Sequence, residues 1–395
     1  MKILFFGSSD FSVPFIEAIN NSGHSIALVL TSGDKAKGRG KIISPNPVKL
    51  CARKLGLDFI EDDYFGIQTV ETLAATDFDC LVVVSFGRMI PKEVLDIAGS
   101  RTINVHPSLL PKYRGPSPIT TALLKGDTET GISLIKIKQK FDTGDVYSQL
   151  KFDISKNDNR DLLEKKILKL GAPFLVSLLN SYESMSLGAL PQSGQGVSYT
   201  KIFTKEDFKI DWTKSTDEIF NKIRAFSPSP GSVALWKSKY IKILKARIEE
   251  LPQCHKRELT YSVQDKDEIN QAVQRKGELM NAVQSQDRKI LTGQSNDETS
   301  SHGQNKDKVI NDRQNIDGPI HNVQDKDKIV YPGQIIKAEK TGLLIACGSS
   351  IFKPDAKTPL TALSLLEIKP QGKDVMNFND FINGYRIKPG DFFEQ

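Results

Sequence analysis

The sequence is poor in cysteine, with four among 395 residues, and the four stand apart from one another. No pair has the C-x-x-C spacing of a zinc or redox site. We therefore expect reduced, mostly structural thiols in a cytoplasmic protein, because disulfides are rare in that compartment. The four are Cys51, Cys80, Cys254 and Cys347.

Long apolar runs are also missing. Lys2 is followed by only four apolar residues before Gly7, which is too short for the apolar region of a signal peptide. No other stretch approaches the roughly 18 apolar residues that a membrane span requires. We therefore expect neither export nor membrane insertion.

The chain also lacks the G-x-G-x-x-G fingerprint of dinucleotide-binding folds, although it opens in a similar way. Lys2 to Phe6 is an apolar strand, closed by the turn Gly7 to Asp10 and followed by a helix from about Ser12 to Asn20. Strand, turn and helix in this order indicate an α/β domain. The missing fingerprint argues against a nicotinamide-dependent oxidoreductase.

Apolar strands recur at Ile26 to Thr31 and at Cys80 to Phe86, and the second of these is apolar almost throughout. Such runs are typical of parallel strands that are covered on both faces. The N-terminal half therefore predicts a Rossmann-like, doubly wound, mainly parallel sheet.

Positive charge is in slight excess, since 54 Lys and Arg residues against 48 Asp and Glu give a net charge of +6. This excess permits a nucleic-acid partner without requiring one. At 395 residues the chain is longer than most single domains, so we expect two domains and a surplus segment.

Short strands after residue 232 predict the second domain. Tyr240 to Arg247 interleaves apolar residues with Lys242 and Lys245, and similar strands return from Gly333 onward. This pattern favours a small, OB-like antiparallel β-barrel with a basic face. The basic face has two interpretations of about equal weight, a solvated outer surface or an RNA-binding platform.

The surplus segment is residues 251–331, and glutamine recurs every ten residues from Gln264 through this segment to Gln334 just beyond it. The segment is polar and poor in aromatic residues, so we expect a disordered, low-complexity insertion in the barrel. A regular solenoid is the alternative. Outside this segment, we expect the α/β domain at residues 1–190, a linker at 191–204, and the barrel at 205–250 with 332–395.

Three side chains suited to acyl transfer lie near predicted strand ends. The strand Thr102 to Val105 delivers Asn104 and His106 to its C-terminal end, where residues i and i+2 point to the same side. Asp142 follows a later strand, Gly131 to Ile137. Ligands bind outside the carboxyl ends of strands in open α/β sheets, so we expect the three to meet there.

Each of these residues also has a structural interpretation. A lone histidine such as His106 is more often a core residue than a catalytic one. Asp142 can form an Asx turn before Thr143-Gly144, and Asn104 can cap a loop.

A basic loop separates the second strand from the next helix. Ser32 to Lys41 contains four cations and three glycines, with Arg39 and Lys41 among the cations. Composition alone favours a solvated mobile loop. The alternative is an arm that orders on RNA phosphates.

The run R-T-I-N-V-H-P-S-L-L-P-K-Y-R-G-P-S-P-I from Arg101, with the later D-T-G-D from Asp142, resembles the 10-formyltetrahydrofolate-dependent formyltransferases. The resemblance begins at Met1 and covers nearly everything outside 251–331. It implies an enzyme that uses 10-formyltetrahydrofolate as co-substrate and needs no metal.

Within that family the chain is most similar to the members that formylate initiator methionyl-tRNA for translation initiation. Ile210-Asp211-Trp212, Ile223 to Phe226 and the basic barrel look like the tRNA-binding extension of those members. Such members are usually monomeric. The resemblance also implies that a glycine-arginine-glycine insertion, here around Arg39, contacts the acceptor stem of tRNA.

The resemblance assigns roles to individual residues. Asn104, His106 and Asp142 correspond to the catalytic set of the family. The folate site corresponds to Ser108, Leu109, Leu110 and Pro111. For contact with tRNA we expect Arg39, Lys41, Lys242 and Lys245.

The implied reaction explains these residue types. Attack of a neutral amine on a formyl carbon produces a tetrahedral centre that carries an oxyanion. We expect Asn104 and His106 to donate hydrogen bonds to this oxyanion, and Asp142 to orient and charge His106.

Two alternatives stay open. The phosphoribosylglycinamide formyltransferases and the hydrolase part of formyltetrahydrofolate dehydrogenase share the Asn, His and Asp pattern. A non-catalytic RNA-binding protein on a Rossmann-like scaffold would use Arg39 and the barrel and would be indifferent to His106.

Overall fold

The computed structural model describes residues 1–37, 42–184, 188–251, 332–348 and 361–394. The predicted insertion at 251–331 lies outside these residues apart from Leu251. Arg39 and Lys41 of the basic loop also lie outside them, as does Cys254.

Strands and helices alternate through the N-terminal part of the chain. The strands are β1 (Lys2–Gly7), β2 (Ser25–Thr31), β3 (Lys35–Lys37), β4 (Ile42–Ser44), β5 (Phe59–Glu61), β6 (Cys80–Val84), β7 (Thr102–His106), β8 (Glu129–Ile135) and β9 (Val146–Asp153). The helices are α1 (Val13–Asn20), α2 (Pro47–Leu55), α3 (Ile67–Ala75), α4 (Lys92–Ala98), α5 (Pro118–Lys125) and α6 (Arg160–Ser184).

Seven of these strands form one sheet in the order β5-β2-β1-β6-β7-β8-β9. The first five strands are parallel, whereas β8 and β9 join antiparallel at one edge. The apolar runs explain this arrangement, because β1 and β6 are buried almost along their whole length. The predicted Rossmann-like, mainly parallel sheet is confirmed.

Two apolar clusters cover the faces of this sheet. Phe15 of α1 packs on one face with Ile167 of α6, and Phe6 packs on the other face with Phe86. Helix α6 approaches the sheet closely at Gly171, where a Cβ would lie 2.9 Å from Ile132 Cδ1. A side chain at that position would require the Ile132 and Phe15 side chains to shift.

The C-terminal part is built mainly from antiparallel strands. Its elements are α7 (Thr216–Phe226), β10 (Ser232–Trp236), β11 (Lys239–Glu250), β12 (Ile335–Glu339), β13 (Gly342–Ile345), β14 (Thr361–Pro370), β15 (Met376–Asn377) and α8 (Phe378–Tyr385). The strands run in the order β10-β11-β14-β13-β12, and β15 pairs with β14.

The last residues of the described chain close this sheet into a barrel. The Glu394 N–H donates to the Leu235 carbonyl of β10 at 2.8 Å, and the Phe393 N–H donates to the Gly333 carbonyl before β12 at 3.0 Å. One short segment therefore bridges the two edge strands. The predicted small barrel after the α/β domain is confirmed.

Helix α7 connects the cores of the two parts. It begins with a capping box, in which the Ser215 hydroxyl accepts from the Glu218 N–H at 3.1 Å and the Glu218 carboxylate accepts from the Ser215 N–H at 3.0 Å. Ile219 and Ile223 pack in the barrel core, whereas Ala225 packs in the core of the α/β domain. The helix is therefore shared between the two cores.

The three cysteines in the described part of the chain, Cys51, Cys80 and Cys347, are buried free thiols. Burial raises the pKa of both Cys80 and Cys347 to about 12. Among the described residues, no helix has the length and apolar character needed to cross a membrane.

Phe15 provides a test of the packing in the α/β core. Its fully buried ring lies 5.7 Å from the ring of Phe11. Phe15→Ala should lower the free energy of unfolding by about 3–5 kcal/mol, because it removes apolar burial and leaves a cavity. Denaturation with urea measures the change.

Tyr64→Ala is the control for this substitution, because the Tyr64 ring is 90% exposed. Its effect should stay within about 0.5 kcal/mol. Equal losses of stability in the two variants would contradict the described packing.

Candidate active site

Strand β7 presents two polar side chains at its C-terminal end. His106 is buried and Asn104 is half-buried, while Val105 between them faces the apolar core. The alternation follows from strand geometry, since residues i and i+2 share one face. The strand therefore places the amide and the imidazole side by side, as predicted.

Asp142 lies against both of these side chains. Its Oδ1 atom accepts from Asn104 Nδ2 at 3.3 Å and lies 3.4 Å from His106 Nδ1. Its Oδ2 atom accepts from the backbone N–H of Gly115 at 2.8 Å. The structure thus brings the amide, the imidazole and the carboxylate of the sequence prediction together.

The route by which Asp142 arrives differs from the prediction. We expected two strand ends at the same edge, but β8 runs antiparallel to β7, and Ile135 at its end pairs with Asn104. Asp142 instead lies in the loop at 136–145 that connects β8 to β9. Its backbone is left-handed, with a φ of 53°, a conformation that aspartate tolerates better than most residues.

Gly144 allows this loop to fold tightly. A Cβ at Gly144 would collide with the backbone carbonyl of Lys136, so glycine is required at this close approach. The Lys136 N–H donates to the Asp145 carbonyl at 2.8 Å, which closes the loop at its base.

The hydrogen bonds of His106 define its tautomer. Its Nε2 atom lies 2.9 Å from the Tyr113 carbonyl, and because a carbonyl only accepts, Nε2 carries the proton. Burial lowers the pKa of His106 below its ordinary value, although the Asp142 carboxylate and the Tyr113 carbonyl act to raise it. Desolvation therefore opposes the expected charging of His106 by Asp142, and that role of Asp142 stays a prediction.

Two chemical capacities follow from these contacts. A neutral imidazole protonated on Nε2 has a lone pair on Nδ1, which lies beside the Asp142 carboxylate. One additional proton can therefore be held between the imidazole and the carboxylate. Asn104 uses one amide N–H on Asp142, and among the described residues its second N–H has no partner. The site can therefore take up a proton and donate a hydrogen bond.

The predicted folate segment follows His106 directly. Ser108 is buried, and its hydroxyl donates to the Lys112 carbonyl at 2.7 Å. The Leu110 carbonyl accepts from Gln149 Nε2 at 2.9 Å, and the peptide bond from Leu110 to Pro111 is cis. Ser108 and Leu110 thus support the local fold, which leaves Leu109 and Pro111 half-buried and available for contact.

A cavity of about 360 Å³ lies beside this segment. It is lined by Leu109, Lys112, Tyr113 and residues 126–130. None of the lining residues belongs to the triad of Asn104, His106 and Asp142, although Tyr113, whose carbonyl contacts His106, lines the cavity.

The residues predicted to contact tRNA lie far from this triad along the chain. Lys242 is exposed and donates to the Pro230 carbonyl, while Lys245 is exposed and lies 3.5 Å from Glu367. These two lysines are on the outer face of β11, as predicted. Arg39 and Lys41 lie outside the described residues.

Sequence reasoning gave no role to three supporting residues, although two of them, Tyr113 and Gly115, lie in the run that carries the family resemblance. Tyr113 and Gly115 hold His106 and Asp142 through backbone groups, and every residue type has those groups. Gln192 donates to the backbone carbonyl of Asp142 at 2.8 Å, although it falls in the predicted linker. The left-handed backbone at Ser85 and Gly87, in the segment after β6, also had no sequence signal.

Family comparisons agree with this architecture. The formyl transferase model matches residues 1–179, and the model of the formyl transferase C-terminal domain matches residues 202–301 and 305–386. These two matches, on a Rossmann-like sheet followed by a small barrel, define the class as a two-domain formyltransferase.

Curated relatives narrow the class. A methionyl-tRNA formyltransferase of Sulfurihydrogenibium sp. is 36% identical over 252 residues, which are 63% of this chain and 81% of the relative. The methionyl-tRNA formyltransferase of Neisseria gonorrhoeae is 36% identical over 251 residues, covering 63% of this chain and 82% of the relative. The chain belongs to the methionyl-tRNA formyltransferase family.

Solved structures share the fold. An N-formyltransferase from Helicobacter canadensis, in complex with folinic acid and dTDP-3-aminofucose, is 21% identical with a TM-score of 0.51, and the match covers 64% of this chain and 89% of that chain. HypX from Aquifex aeolicus, in complex with tetrahydrofolic acid, is 14% identical with a TM-score of 0.53, covering 100% of this chain and 51% of that chain. At these identities the likeness is one of fold.

The pKa of His106 provides a direct test of the site. Asp142→Asn should lower this pKa further, because the carboxylate is the neighbouring charge that raises it. A nitrogen-15 NMR titration of the imidazole measures the change. Asp96→Asn is the control, since Asp96 is an exposed partner of Lys92 on α4.

A His106 pKa that rises in Asp142→Asn would show that the carboxylate does not act on the imidazole. No difference between Asp142→Asn and Asp96→Asn would lead to the same conclusion.

Proposed function

We propose that this chain transfers the formyl group of 10-formyltetrahydrofolate to the α-amine of initiator methionyl-tRNA. The observation that carries the proposal is the Asp142 carboxylate, which lies within 3.4 Å of both the Asn104 amide and the His106 imidazole. Membership of the family supports the choice of substrates. The product is formylmethionyl-tRNA, which serves translation initiation.

Asn104 is the main oxyanion donor in this proposal. Attack of the amine on the formyl carbon places negative charge on the formyl oxygen, and the second Asn104 N–H can donate to it. The Nε2–H of His106 already donates to the Tyr113 carbonyl, so the imidazole serves as a second donor only after leaving that partner. This revises the expectation that both side chains donate to the oxyanion from the start.

His106 and Asp142 handle the proton of the nucleophile. The α-amine forms a new C–N bond and must lose a proton, which is held between His106 Nδ1 and Asp142 Oδ1. The bond from the formyl carbon to N10 of the folate then breaks, and N10 takes up a proton in exchange. Protons and electrons balance without a metal or a covalent enzyme intermediate.

The folate and the tRNA are assigned to separate surfaces. Leu109 and Pro111 offer half-buried apolar contact to the folate, while Ser108 and Leu110 hold the segment in place. For tRNA we propose the outer face of the barrel at Lys242 and Lys245, together with Arg39 and Lys41. Positive charge on an exposed strand is suited to phosphates.

We further propose that the enzyme is a cytoplasmic monomer. In this division, residues 1–190 carry catalysis, 205–250 with 332–395 bind tRNA, 191–204 connect the two, and 251–331 form an insertion.

The choice of acceptor distinguishes this proposal from its alternatives. We expect formyl transfer to charged initiator tRNA and none to glycinamide ribonucleotide, because the barrel adds a surface suited to RNA. Radiolabelled formyl transfer measures both reactions side by side. Activity on glycinamide ribonucleotide alone would identify a different formyltransferase, and tRNA binding without any transfer would identify a binding protein.

Asn104 provides the test of the mechanism. Asn104→Ala should lower kcat by about 10²- to 10³-fold, as for the loss of one oxyanion donor. Asp142→Asn should be at least as damaging, because it also changes the protonation of His106. Steady-state kinetics with charged tRNA measures both variants.

Asn157→Ala is the matched control, since Asn157 is an exposed asparagine remote from the triad. It should keep parental kcat. Near-normal turnover of Asn104→Ala would remove the oxyanion role from this side chain.

A further inference from the structure

The connection after α6 packs against the active site over much of its length. Leu190 pairs with Val146 at the start of β9 through two backbone hydrogen bonds of 2.7 and 2.9 Å. Further along, the Arg114 N–H donates to the Ser198 carbonyl at 2.9 Å, and the Thr200 N–H donates to the Arg114 carbonyl at 2.7 Å. The segment is therefore attached near one end to the strand that follows the Asp142 loop and near the other end to Arg114.

Gln192 lies between these two attachments and makes four hydrogen bonds. Its Nε2 atom donates to the carbonyls of Asp142 and Gly144, each at 2.8 Å. Its Oε1 atom accepts from Arg114 Nε at 3.1 Å and from Arg114 Nη2 at 2.7 Å. An amide has two donor hydrogens and two acceptor lone pairs, so the side chain is fully used.

The surroundings of Gln192 set it apart from its neighbours. Pro191 and residues 193–197 are exposed, whereas Gln192 is half-buried. The Gln192 side chain turns inward from an exposed segment, and all its polar atoms bond to the Asp142 loop or to Arg114. A surface segment that is merely solvated does not need such a set of hydrogen bonds.

The contact acts on the part of the loop that needs support. Asp142 has a left-handed backbone, with a φ of 53°, which persists only where the surroundings hold it. Gln192 holds the carbonyls on both sides of Thr143, and Gly115 holds the carboxylate from the opposite direction. Backbone and side chain of Asp142 are therefore fixed from two elements.

We propose that Gln192 is a positioning residue for formyl transfer, which keeps the Asp142 carboxylate in register with Asn104 and His106. The inference rests on the proposed function. Gln192 acts through Asp142 and does not touch the reacting atoms. Arg114 orients the Gln192 amide, because its two N–H groups fix which end of the amide faces the loop.

Removal of the Gln192 side chain is the first test of this proposal, made in the full-length enzyme. Gln192→Ala should lower kcat by about 10- to 100-fold, since misplacement of a catalytic group by about 1 Å has costs of this size. The KM for methionyl-tRNA and the thermal midpoint should stay close to parental values, because Gln192 contacts neither core. Gln195→Ala, in the same exposed segment, is the matched control and should keep parental kcat.

Gln192→Glu separates the two halves of the contact. A carboxylate still accepts from Arg114 but cannot donate to the carbonyls of Asp142 and Gly144. The proposal predicts that Gln192→Glu loses as much kcat as Gln192→Ala. Recovery of parental kcat in Gln192→Glu would mean that the Arg114 contact alone matters, and it would overturn the proposal.

A double-mutant cycle connects the effect to Asp142. If Gln192 acts through this carboxylate, then Gln192→Ala should add less than about 3-fold to the loss of Asp142→Asn, measured in single turnovers, because coupled residues are not additive. Full additivity would overturn the proposal. An inactive parent enzyme would refute the proposed function. If the parent is active and all Gln192 variants keep its kcat, only the positioning role is refuted.

Discussion

The hydrogen bonds of the Asp142 carboxylate are the interaction on which the rest of the site depends. One oxygen meets the Asn104 amide and the His106 imidazole of β7, and the other accepts from the backbone of Gly115. Three separate stretches of chain are thereby held at one point. Among the side chains of the loop at 136–145, that of Asp142 makes the polar contacts with β7.

The fold supplies the rigid parts around this point. Strand β7 is an interior strand of a sheet that is buried on both faces, which suits it to hold catalytic side chains in place. Helix α7 shares its apolar residues between the sheet domain and the barrel, and the segment that holds Gln192 leads toward that helix. The segment that holds Asp142 therefore leads directly into the part of the chain that is proposed to bind tRNA.

Features that depend on periodicity could be predicted from the sequence, and those that depend on backbone contacts could not. The apolar run Cys80 to Phe86 and the spacing of Asn104 and His106 predicted a parallel sheet and a shared face. The antiparallel entry of β8 was not predictable, because an apolar run reads the same in either direction. Gln192 could not be identified, because an amide that bonds to backbone carbonyls leaves no spacing pattern in the sequence. The pKa of His106 could not be predicted either, because it depends on burial.

The account stands on the convergence of an amide, an imidazole and a carboxylate on the carbon that is transferred. A crystal structure with a stable formyl-folate analogue tests this most directly. The formyl oxygen is predicted to lie about 2.7–3.1 Å from Asn104 Nδ2, the distance of an oxyanion donor. A formyl group bound in the cavity beside Lys112 and 126–130, away from Asn104, would contradict the account.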